Sequence, residues 1–450
     1  MDDPRRPQRA LARRPEDLSG WLAAEPARAS LVTFLGRWAE PVYLVGGSVR
    51  DALLGRDTMD LDFAVEGSAM ALARALSDRV GGALVPLDPE RDVARVVVGR
   101  GERAEHWDLA GLRAPTLEED LRARDLTINA IALALWPPHS LVDPTGGRVD
   151  LGRGLLRAAS GGAFRDDPVR VVRLARFRGE LRLPVQPATR RLAIEAAPGL
   201  AGASAERLRD ELFAILRLDR SASALGYLHR LGGLALTLGL ERPADAALEL
   251  GLTRLKALEG CLPLGRSSEL DAVLWQLRDD WGRGLAGGRA RWQSVKLAAI
   301  LGKMTQESAA AACLALRLST AEVRWVRGAV AGAQALSAGL ECIGDLALYR
   351  YYRRFGEAGV DGAALALTGD GAPRASEALM AWYRRPAEVV DPPRLVDGRD
   401  VMRVLGADSG PAVGRALEAI REAQVARQVV SRDEALRWLE RLGDDKDSLR

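Results

Sequence analysis

The stretch between residues 42 and 66 constrains this chain more than any other, because it combines a strand, a glycine turn, a helix and a second strand. It begins with the apolar run Val42–Val45, whose β-branched and aromatic residues are typical of a buried strand. Gly46 and Gly47 follow, and they allow a sharp turn and a close approach of the backbone to a ligand. We expect Ser48 to cap the next helix, whose free N–H groups and positive dipole end can bind a phosphate.

Two aspartates, Asp60 and Asp62, are two positions apart in the second predicted strand, Asp60–Val65. Residues two apart point to the same face of a strand, so the two carboxylates lie side by side whereas Leu61 and Phe63 face a core. Paired carboxylates beside a phosphate-binding turn are typical ligands of Mg²⁺ bound to a nucleoside triphosphate. Two ions about 3.5–4 Å apart would stabilise the entering and leaving oxygens of an in-line displacement. A solvent-exposed strand edge is the alternative, but the preceding strand–turn–helix unit favours the metal site.

Further candidate ligands lie downstream of this unit. Asp108 belongs to a predicted strand, Glu105–Leu109, and a third metal ligand and an ordinary strand-end aspartate remain open alternatives for it. Arg124 and Asp125 precede an apolar run that we interpret as helical; Arg124 suits a triphosphate and Asp125 could accept from ribose hydroxyls. Asn129, one helical turn later, can donate to a phosphate oxygen. A salt-bridged helix start is the alternative interpretation of this segment.

A basic helix is predicted for residues 163–181, with aspartates at its start and arginines at three-residue steps. Asp167 and Arg170 are neighbours on one helix surface, and Arg173 and Arg176 continue the same ridge. A basic ridge is often only a solvated face. Here, however, an arginine that donates and an aspartate that accepts could together pair with the edge of a base.

The composition excludes several classes of protein. With 64 basic and 61 acidic residues the net charge is only +3, so any nucleic acid must be bound by local arginine patches. Cys261, Cys313 and Cys342 have neither metal-binding spacing nor an obvious pairing, which favours a reducing cytoplasm. The three histidines are scattered, which excludes a histidine-based zinc site. No stretch is apolar enough to span a bilayer or to serve as a signal core, so we expect a cytoplasmic protein.

Several motifs occur in order between residues 45 and 212: VGGSVRD, DLDF, RDLTINA, DPTGGRVDL, DDPVRVVRLARF and AERLRDEL. Together they resemble the class II tRNA nucleotidyltransferase and bacterial poly(A) polymerase family. The resemblance implies an α+β fold, in which a nucleotidyltransferase head with a mixed sheet precedes all-α neck, body and tail domains. We expect a hairpin at residues 143–147 to close the head. The predicted segments are a disordered leader (1–17), the head (18–157), the neck with a nucleotide-template helix (158–220), the body (221–390) and a tRNA-binding tail (391–450).

The resemblance also implies a template-independent enzyme that adds CMP, AMP or both to the 3′ end of tRNA. The 3′-hydroxyl would attack the α-phosphate of CTP or ATP with Mg²⁺ as cofactor, and pyrophosphate would leave. Asp60 and Asp62 would be the catalytic metal ligands, and no protein partner is evident. The nucleotide-binding residues would be Gly46, Gly47, Arg50, Arg124, Asp125, Asn129, Asp167, Arg170, Arg173 and Arg176, of which Asp167 and Arg170 would act as a protein template for the incoming base.

Three positions depart from the family pattern. Ala123 stands where members often have a first arginine before Arg124-Asp125, and Asp166 stands where the template motif usually begins with glutamate. Residues 112–116 join almost directly to the segment before Arg124, and in this family a shortened connection is typical of enzymes that add only CC. CC addition is therefore a hypothesis alongside CCA addition. Poly(A) polymerase is the nearest rival, and a non-catalytic RNA-binding protein is disfavoured because it would not need paired metal ligands.

Overall fold

The computed structural model describes residues 12–13, 17–101, 104–240, 245–260, 268–285, 288–338, 344–369 and 371–444. The chain divides into two compact units, residues 1–203 with 231–233, and residues 204–230 with 234–450. The predicted fold class is confirmed, since a mixed sheet with helices precedes a helical second half. The predicted leader lies largely outside the described residues, and the division into neck, body and tail stays a prediction.

The first unit contains a seven-stranded sheet with the strand order β3-β4-β5-β2-β1-β6-β7. The pairing of β2 with β5 is parallel, and the other pairings between these strands are antiparallel. The strands are β1 (Val42–Val45), β2 (Asp60–Val65), β3 (Ala83–Asp88), β4 (Val93–Val98), β5 (Glu105–Gly111), β6 (Ala132–Ala134) and β7 (Leu141–Val142).

Burial along β2 follows the predicted alternation. Leu61 and Phe63 are buried in the core, whereas Asp60 and Asp62 are exposed on the opposite face. The neighbouring strand β1 is buried along its whole length, as a central strand of a covered sheet should be. The two aspartates therefore lie at the middle of the sheet and point away from its core.

Helices cover the sheet and extend beyond it within the first unit. The amphipathic pattern of residues 68–80 predicts a helix, which the structure confirms, and the side chain of Ser68 caps it by accepting from the N–H of Ala71. The helices are α1 (Leu18–Leu22), α2 (Pro26–Leu35), α3 (Gly47–Leu53), α4 (Ala69–Val80), α5 (Leu117–Arg122), α6 (Gly147–Arg153), α7 (Ala163–Asp166), α8 (Arg170–Leu181) and α9 (Pro187–Ala196), with 3₁₀ helices at Thr127–Asn129 and Ala197–Gly202.

Two local predictions are wrong. The apolar run after Asp125 is not an α-helix but a short 3₁₀ helix followed by β6, because these residues complete the sheet beside β1. A short apolar run does not distinguish a buried strand from a helix by its periodicity. The turn at residues 143–147 is not a closing hairpin: the carboxylate of Asp143 accepts from the N–H groups of Gly147 and Arg148 at 2.7 and 3.0 Å, so the turn leads into α6.

The second unit is helical. Its helices are α10 (Ala205–Leu216), α11 (Ser221–Arg230), α12 (Leu234–Thr237), α13 (Asp245–Gly260), α14 (Glu269–Trp281), α15 (Arg291–Leu301), α16 (Gln306–Ala315), α17 (Thr320–Ala338), α18 (Asp345–Ala366), α19 (Ala372–Arg384), α20 (Gly398–Leu405), α21 (Pro411–Val425) and α22 (Arg432–Asp444), with a π-helical turn at Pro386–Val390. In the described parts of the chain, no helix combines the length and the apolar character that crossing a membrane requires.

A buried ionic cluster fixes α14, α15, α17 and α18 to one another. Asp361 on α18 is fully buried, and its carboxylate accepts from Arg291, from the indole N–H of Trp281 and from that of Trp325. Because every partner of this buried charge is a donor, the cluster is satisfied and selects one arrangement of the four helices. The hydrogen bonds of Asp361 all connect these helices to one another, so we regard the cluster as structural.

Candidate active site

The hydroxyl groups of Ser48 on α3 and Thr58, just before β2, fix the backbone of Asp60 and Asp62. The Ser48 hydroxyl accepts from the backbone N–H of Asp62 at 2.9 Å and donates to the carbonyl of Asp60 at 3.2 Å. The Thr58 hydroxyl accepts from the N–H of Asp60 at 3.1 Å. The prediction that Ser48 caps α3 is wrong, because the helix begins at Gly47 after Gly46 and Ser48 lies within its first turn. Ser48 instead fixes β2 against α3.

The surroundings of Asp62 disfavour its negative charge. The side chain of Asp62 is exposed by its surface area, but the density of neighbouring protein atoms still reduces the solvation of its carboxylate. This desolvation, together with the carboxylates of Asp108 and Asp60, raises the pKa of Asp62 to about 6, while Arg124 and Arg173 act in the opposite direction. A bound cation would reverse this balance, and carboxylate oxygens are ligands that Mg²⁺ prefers. The two aspartates therefore fit the predicted metal site.

Asp108 lies next to these aspartates but is already paired. The parallel register places Asp108 on β5 opposite Asp62 on β2. Both of its oxygens accept from Arg95, at 2.7 Å from Nε and 2.8 Å from Nη2. Within the described ranges, no three His, Cys, Asp or Glu side chains converge on one point as a complete set of metal ligands. Asp60 and Asp62 would therefore form an open site, and the role of Asp108 as a third ligand stays a prediction.

His106 is a site neighbour that sequence reasoning missed. Its Nδ1 lies 3.1 Å from Oδ1 of Asp60, because β5 places it directly opposite that residue in the parallel register. Sequence reasoning used the histidines only to exclude a zinc site. The available signal was that Glu105–Leu109 is a predicted strand close to two predicted metal ligands, but the register between strands is not encoded in local periodicity.

The glycine turn, Arg124 and Asp62 converge. Gly46 has φ = +70°, a conformation that glycine adopts without strain. A Cβ atom at Gly46 would lie 2.9 Å from Nη1 of Arg124 and 3.9 Å from Oδ2 of Asp62. The guanidinium of Arg124 is oriented by Asp120, whose Oδ2 lies 3.2 Å from its Nη2. The space over the turn is thus lined by a cation and a carboxylate, as binding of a metal-bound phosphate requires.

Arg50 is buried beside the same turn. Its Nη1 donates to Oδ1 of Asn129 at 2.7 Å, and its Nη2 donates to Asp51 at the same distance. A Cβ atom at Gly47 would lie 3.6 Å from the Arg50 guanidinium. Arg50 and Asn129, which are 79 residues apart in the chain, therefore contact each other as expected for two residues of one nucleotide site.

Asp125 is buried and its carboxylate is fully engaged by the protein. Oδ1 accepts from the N–H of Leu126 at 2.7 Å and from Asn129 at 3.1 Å, and Oδ2 accepts from Nε of Arg173 at 2.9 Å. Burial alone would raise the pKa of Asp125, but the charge of Arg173 and these hydrogen bonds outweigh it and lower the pKa to about 2. Asp125 and Asn129 thus orient arginines, and the direct ribose and phosphate contacts expected of them stay predictions.

The candidate template residues lie where the predicted helix over residues 163–181 is interrupted: Arg170 begins α8, whereas Asp167 lies before it in extended backbone that ends α7. The prediction of one continuous helix surface is therefore wrong, because the chain leaves the helical conformation at Asp167. Oδ2 of Asp167 lies 3.6 Å from Nε of Arg170, and both side chains are half-buried. Arg170 also donates to the carbonyl of Ala163 at 3.0 Å, which fixes the guanidinium near the end of α7. Arg173 reaches Asp125, whereas Arg176 pairs with Glu180 on its own helix at 3.3 Å. The predicted neighbourhood of Asp167 and Arg170 is confirmed; their contact with a base is still a prediction.

Comparison with known proteins decides the family. The profile of the family described as "Poly A polymerase head domain" matches residues 42–157. The chain is 35% identical to a CC-adding tRNA nucleotidyltransferase of Geobacter sulfurreducens, over 88% of this chain and 91% of the relative. It is 34% identical to an A-adding tRNA nucleotidyltransferase of Deinococcus radiodurans, over 89% of this chain and 95% of the relative.

The chain belongs to the tRNA nucleotidyltransferase family. The motifs predicted this family and disfavoured a non-catalytic RNA-binding protein. As a member of the family, the chain is an enzyme. A solved CCA-adding enzyme in complex with CTP has a TM-score of 0.73 and covers 96% of this chain at 23% identity. The Thermotoga maritima CCA-adding enzyme complexed with tRNA has a TM-score of 0.68 and covers 95% of this chain, also at 23% identity. These two likenesses confirm the fold of the tRNA nucleotidyltransferase.

Proposed function

We propose that this tRNA nucleotidyltransferase adds two CMP units to tRNAs that lack the CCA end and leaves the final AMP to another enzyme. Its relatives do not decide between these products, because they include CC-adding and A-adding enzymes at similar identity. The observation that carries the proposal is the short connection between β5, which ends at Gly111, and α5, which begins at Leu117.

Residues 112–116, which form this connection, are fixed by hydrogen bonds at both ends. The N–H of Leu112 donates to the carbonyl of Val65 at 3.1 Å, and the N–H of Arg113 donates to Asp120 at 3.2 Å. Thr116 caps α5 by accepting from the N–H of Glu119. A site that selects C and then A must rearrange its contacts to the base between steps, which requires a segment that can change conformation. Residues 112–116 are short and hydrogen-bonded at both ends, so we infer that they do not allow this change and that base choice stays fixed on C.

The proposed reaction uses the residues of the first unit as follows. The 3′-hydroxyl oxygen of tRNA attacks the α-phosphorus of CTP, the bond to the β-phosphate breaks, and pyrophosphate leaves. Mg²⁺, when bound, would supply charge neutralisation at the triphosphate and activation of the hydroxyl. Asp60 and Asp62 would hold it, and Arg50 and Arg124 would bind the non-transferred phosphates as guanidinium donors.

Base selection is assigned to Asp167 and Arg170. Cytosine presents an amino donor beside ring and carbonyl acceptors, which match the carboxylate of Asp167 and the guanidinium of Arg170. Uracil presents an acceptor where cytosine has the amino group, and would therefore face the Asp167 carboxylate with a lone pair. An unpaired buried polar group costs about 1–3 kcal/mol, enough for a clear preference. Because tRNA and CTP are its substrates, the proposal places the enzyme in the cytoplasm.

The experiment is end sequencing of tRNA. A tRNA without CCA is incubated with CTP and ATP together, and a second tRNA that already ends in CC is incubated with ATP. We expect CC ends on the first tRNA and no extension of the second. Uniform CCA ends would reject CC-only addition, extension of only the second tRNA would identify A addition, and long A tails would indicate a poly(A) polymerase.

A further inference from the structure

One aromatic ring, Phe177 on α8, contacts three arginines of the candidate site. The guanidinium carbons of Arg50, Arg173 and Arg176 lie 5.1, 5.5 and 4.3 Å from the centre of its ring. These distances are within the range of cation–π attraction, which strengthens where water is excluded. The Phe177 ring and Arg50 are each only 4% exposed, whereas Arg173 and Arg176 are partly exposed, so the ring is buried beneath guanidiniums that still reach solvent.

The ring closes a circuit of contacts. Arg50 donates to Asn129 at 2.7 Å, Asn129 donates to Asp125 at 3.1 Å, and Arg173 donates to Asp125 at 2.9 Å. Arg50 and Arg173 also both pack on Phe177, so these contacts form a closed circuit. The circuit therefore joins α3, the segment after α5, and α8, three elements distant in sequence.

The two arginines that pack on Phe177, Arg50 and Arg173, lie beside different parts of the candidate nucleotide site. Arg50 belongs to the glycine turn, where the triphosphate is expected. Arg173 is one helical turn beyond Arg170, the candidate base-reading residue, on the same helix. Nothing else described above connects the phosphate side of the site to the template helix through side chains.

We propose that Phe177 is a positioning residue, whose ring holds Arg50 and Arg173 in register and thereby couples the triphosphate site to the base-reading helix. The inference rests on the proposed nucleotidyl transfer, and Phe177 itself contacts no substrate in it. Loss of the ring leaves both guanidiniums charged and hydrogen-bonded, but no longer confined to one geometry. The consequence is weaker CTP binding and poorer discrimination between bases, with a smaller effect on the chemical step.

The test compares Phe177→Leu with a matched variant, Phe213→Leu. Phe213 on α10 in the second unit is also 4% exposed, and its ring also has an arginine over it, Arg289 at 4.7 Å. Both variants thus lose a buried ring and a cation–π contact. We expect Phe177→Leu to raise the KM for CTP about tenfold, equivalent to ~1.4 kcal/mol, with kcat within about threefold of the wild-type value. The misincorporation of UMP relative to CMP should rise, and Phe213→Leu should change neither quantity.

A double-mutant cycle tests the coupling itself. Asn129 and Phe177 are connected only through the arginines and Asp125 in the contacts given above. If the circuit acts as one unit, the effects of Asn129→Ala and Phe177→Leu on the KM for CTP will be clearly less than additive. Additive effects, or equal effects of Phe177→Leu and Phe213→Leu, would overturn the proposal. Far-UV circular dichroism checks folding, and Phe177→Met, which keeps the volume but not the ring, replaces Phe177→Leu if that variant does not fold.

The failure of this inference is distinguishable from failure of the proposed function. A wild-type enzyme that does not transfer CMP to tRNA would refute the function itself. A wild-type enzyme that transfers CMP, with a Phe177→Leu variant that matches it in KM and base choice, would refute only the role of Phe177.

Discussion

Arg173 on α8 donates from Nε to Oδ2 of Asp125 at 2.9 Å, across 48 residues of sequence. This ion pair fixes α8 to the segment that carries Arg124, so it joins two halves of the candidate nucleotide site. Asp125 is 7% exposed and Arg173 34% exposed in their side chains, so the pair is buried on the carboxylate side and open on the guanidinium side.

Removal of Arg173 should destabilise the protein. Arg173→Ala leaves the buried carboxylate of Asp125 without its cationic partner, a change that costs 3–5 kcal/mol for fully buried pairs. Because the guanidinium is partly screened by solvent, we expect about 2 kcal/mol. Thermal unfolding at pH 7.5 should show a lower Tm for Arg173→Ala than for the wild-type protein.

The pH dependence of this loss has a definite sign. The pKa of Asp125 is lowered to about 2, below its ordinary value of 3.8, so its ionised form stabilises the fold above about pH 4 and this stability is lost as the pH falls towards 2. In Arg173→Ala the effect of burial is still opposed by the hydrogen bonds from Asn129 and Leu126 but no longer by the charge of Arg173, so we expect the pKa of Asp125 to rise and protonation in mild acid to relieve part of the cost. The difference in Tm between the two proteins should be smaller at pH 4.5 than at pH 7.5. An equal or larger difference at pH 4.5 would contradict the assignment.

The carboxylate of Asp62 should lower the stability of the metal-free protein, although catalysis requires it. Its pKa is raised to about 6, so between about pH 4 and 6 the folded state binds more protons than the unfolded state, and stability falls as the pH rises through this window. Asp62→Asn removes a carboxylate that repels Asp60 and Asp108. In buffer with a chelator at pH 7.5, we expect its Tm to exceed that of the wild-type protein by about 1–3 °C. At pH 4.5, where Asp62 is already protonated, the two Tm values should converge; a lower Tm for Asp62→Asn at pH 7.5 would argue against repulsion at this site.

Gly46 is required by conformation and by contact. An alanine there would need φ = +70° with ψ = −129°, a sparsely populated region for residues with a Cβ that costs about 1–3 kcal/mol, and its Cβ would lie 2.9 Å from Nη1 of Arg124. The guanidinium can move away, but it then leaves the space over the turn. Gly46→Ala should therefore raise the KM for CTP at least about tenfold while the protein stays folded. Gly81→Ala is the control, because Gly81 has φ = +64° with no atom within 4 Å of its Cβ position; equal KM values for both variants would refute this role.

Arg170 should govern base choice more than affinity. Arg170→Ala removes the donor that we propose to contact the base, but it leaves Arg50 and Arg124, the proposed ligands of the phosphates. In competition among CTP, ATP, UTP and GTP, the preference for CTP should fall by about tenfold, whereas the total rate at saturating nucleotide falls less. Arg165 is the matched control: it is 83% exposed at the end of α7 and pairs loosely with Asp166 at 3.8 Å. Unchanged discrimination in Arg170→Ala would count against a template role.

The sequence predicted most of what is local in this fold. The unit from Val42 to Val65, strand β5 and helix α4 follow from alternation, β-branched residues and the amphipathic period of a helix. The strand periodicity placed Asp60 with Asp62, because residues two apart on a strand share a face. The proximity of Asp167 and Arg170 was also expected, but it arises at the break between α7 and α8 and not on one helix face. These predictions needed no information about distant parts of the chain.

The remaining features depend on contacts between distant segments. Ser48 was expected to be a cap, but the tertiary contact with β2 determines its role. The His106–Asp60 contact depends on strand register, and the contacts of Phe177 depend on how α8 packs on α3. Periodicity describes one element at a time and does not specify these pairings. For the same reason the run after Asp125 was predicted as a helix although it forms β6 in the sheet.

The central claim is that Asp60 and Asp62 together hold the cations on which transfer of CMP depends. The most direct measurement is the single-turnover rate of CMP transfer from labelled CTP to tRNA without CCA, for the wild-type enzyme, Asp60→Asn and Asp62→Asn, with tRNA affinity measured in parallel. We predict that each variant loses at least about a thousandfold in rate, as removal of a metal site from a phosphoryl-transfer enzyme implies, while tRNA affinity stays within about threefold. Transfer by either variant at close to the wild-type rate would contradict the account.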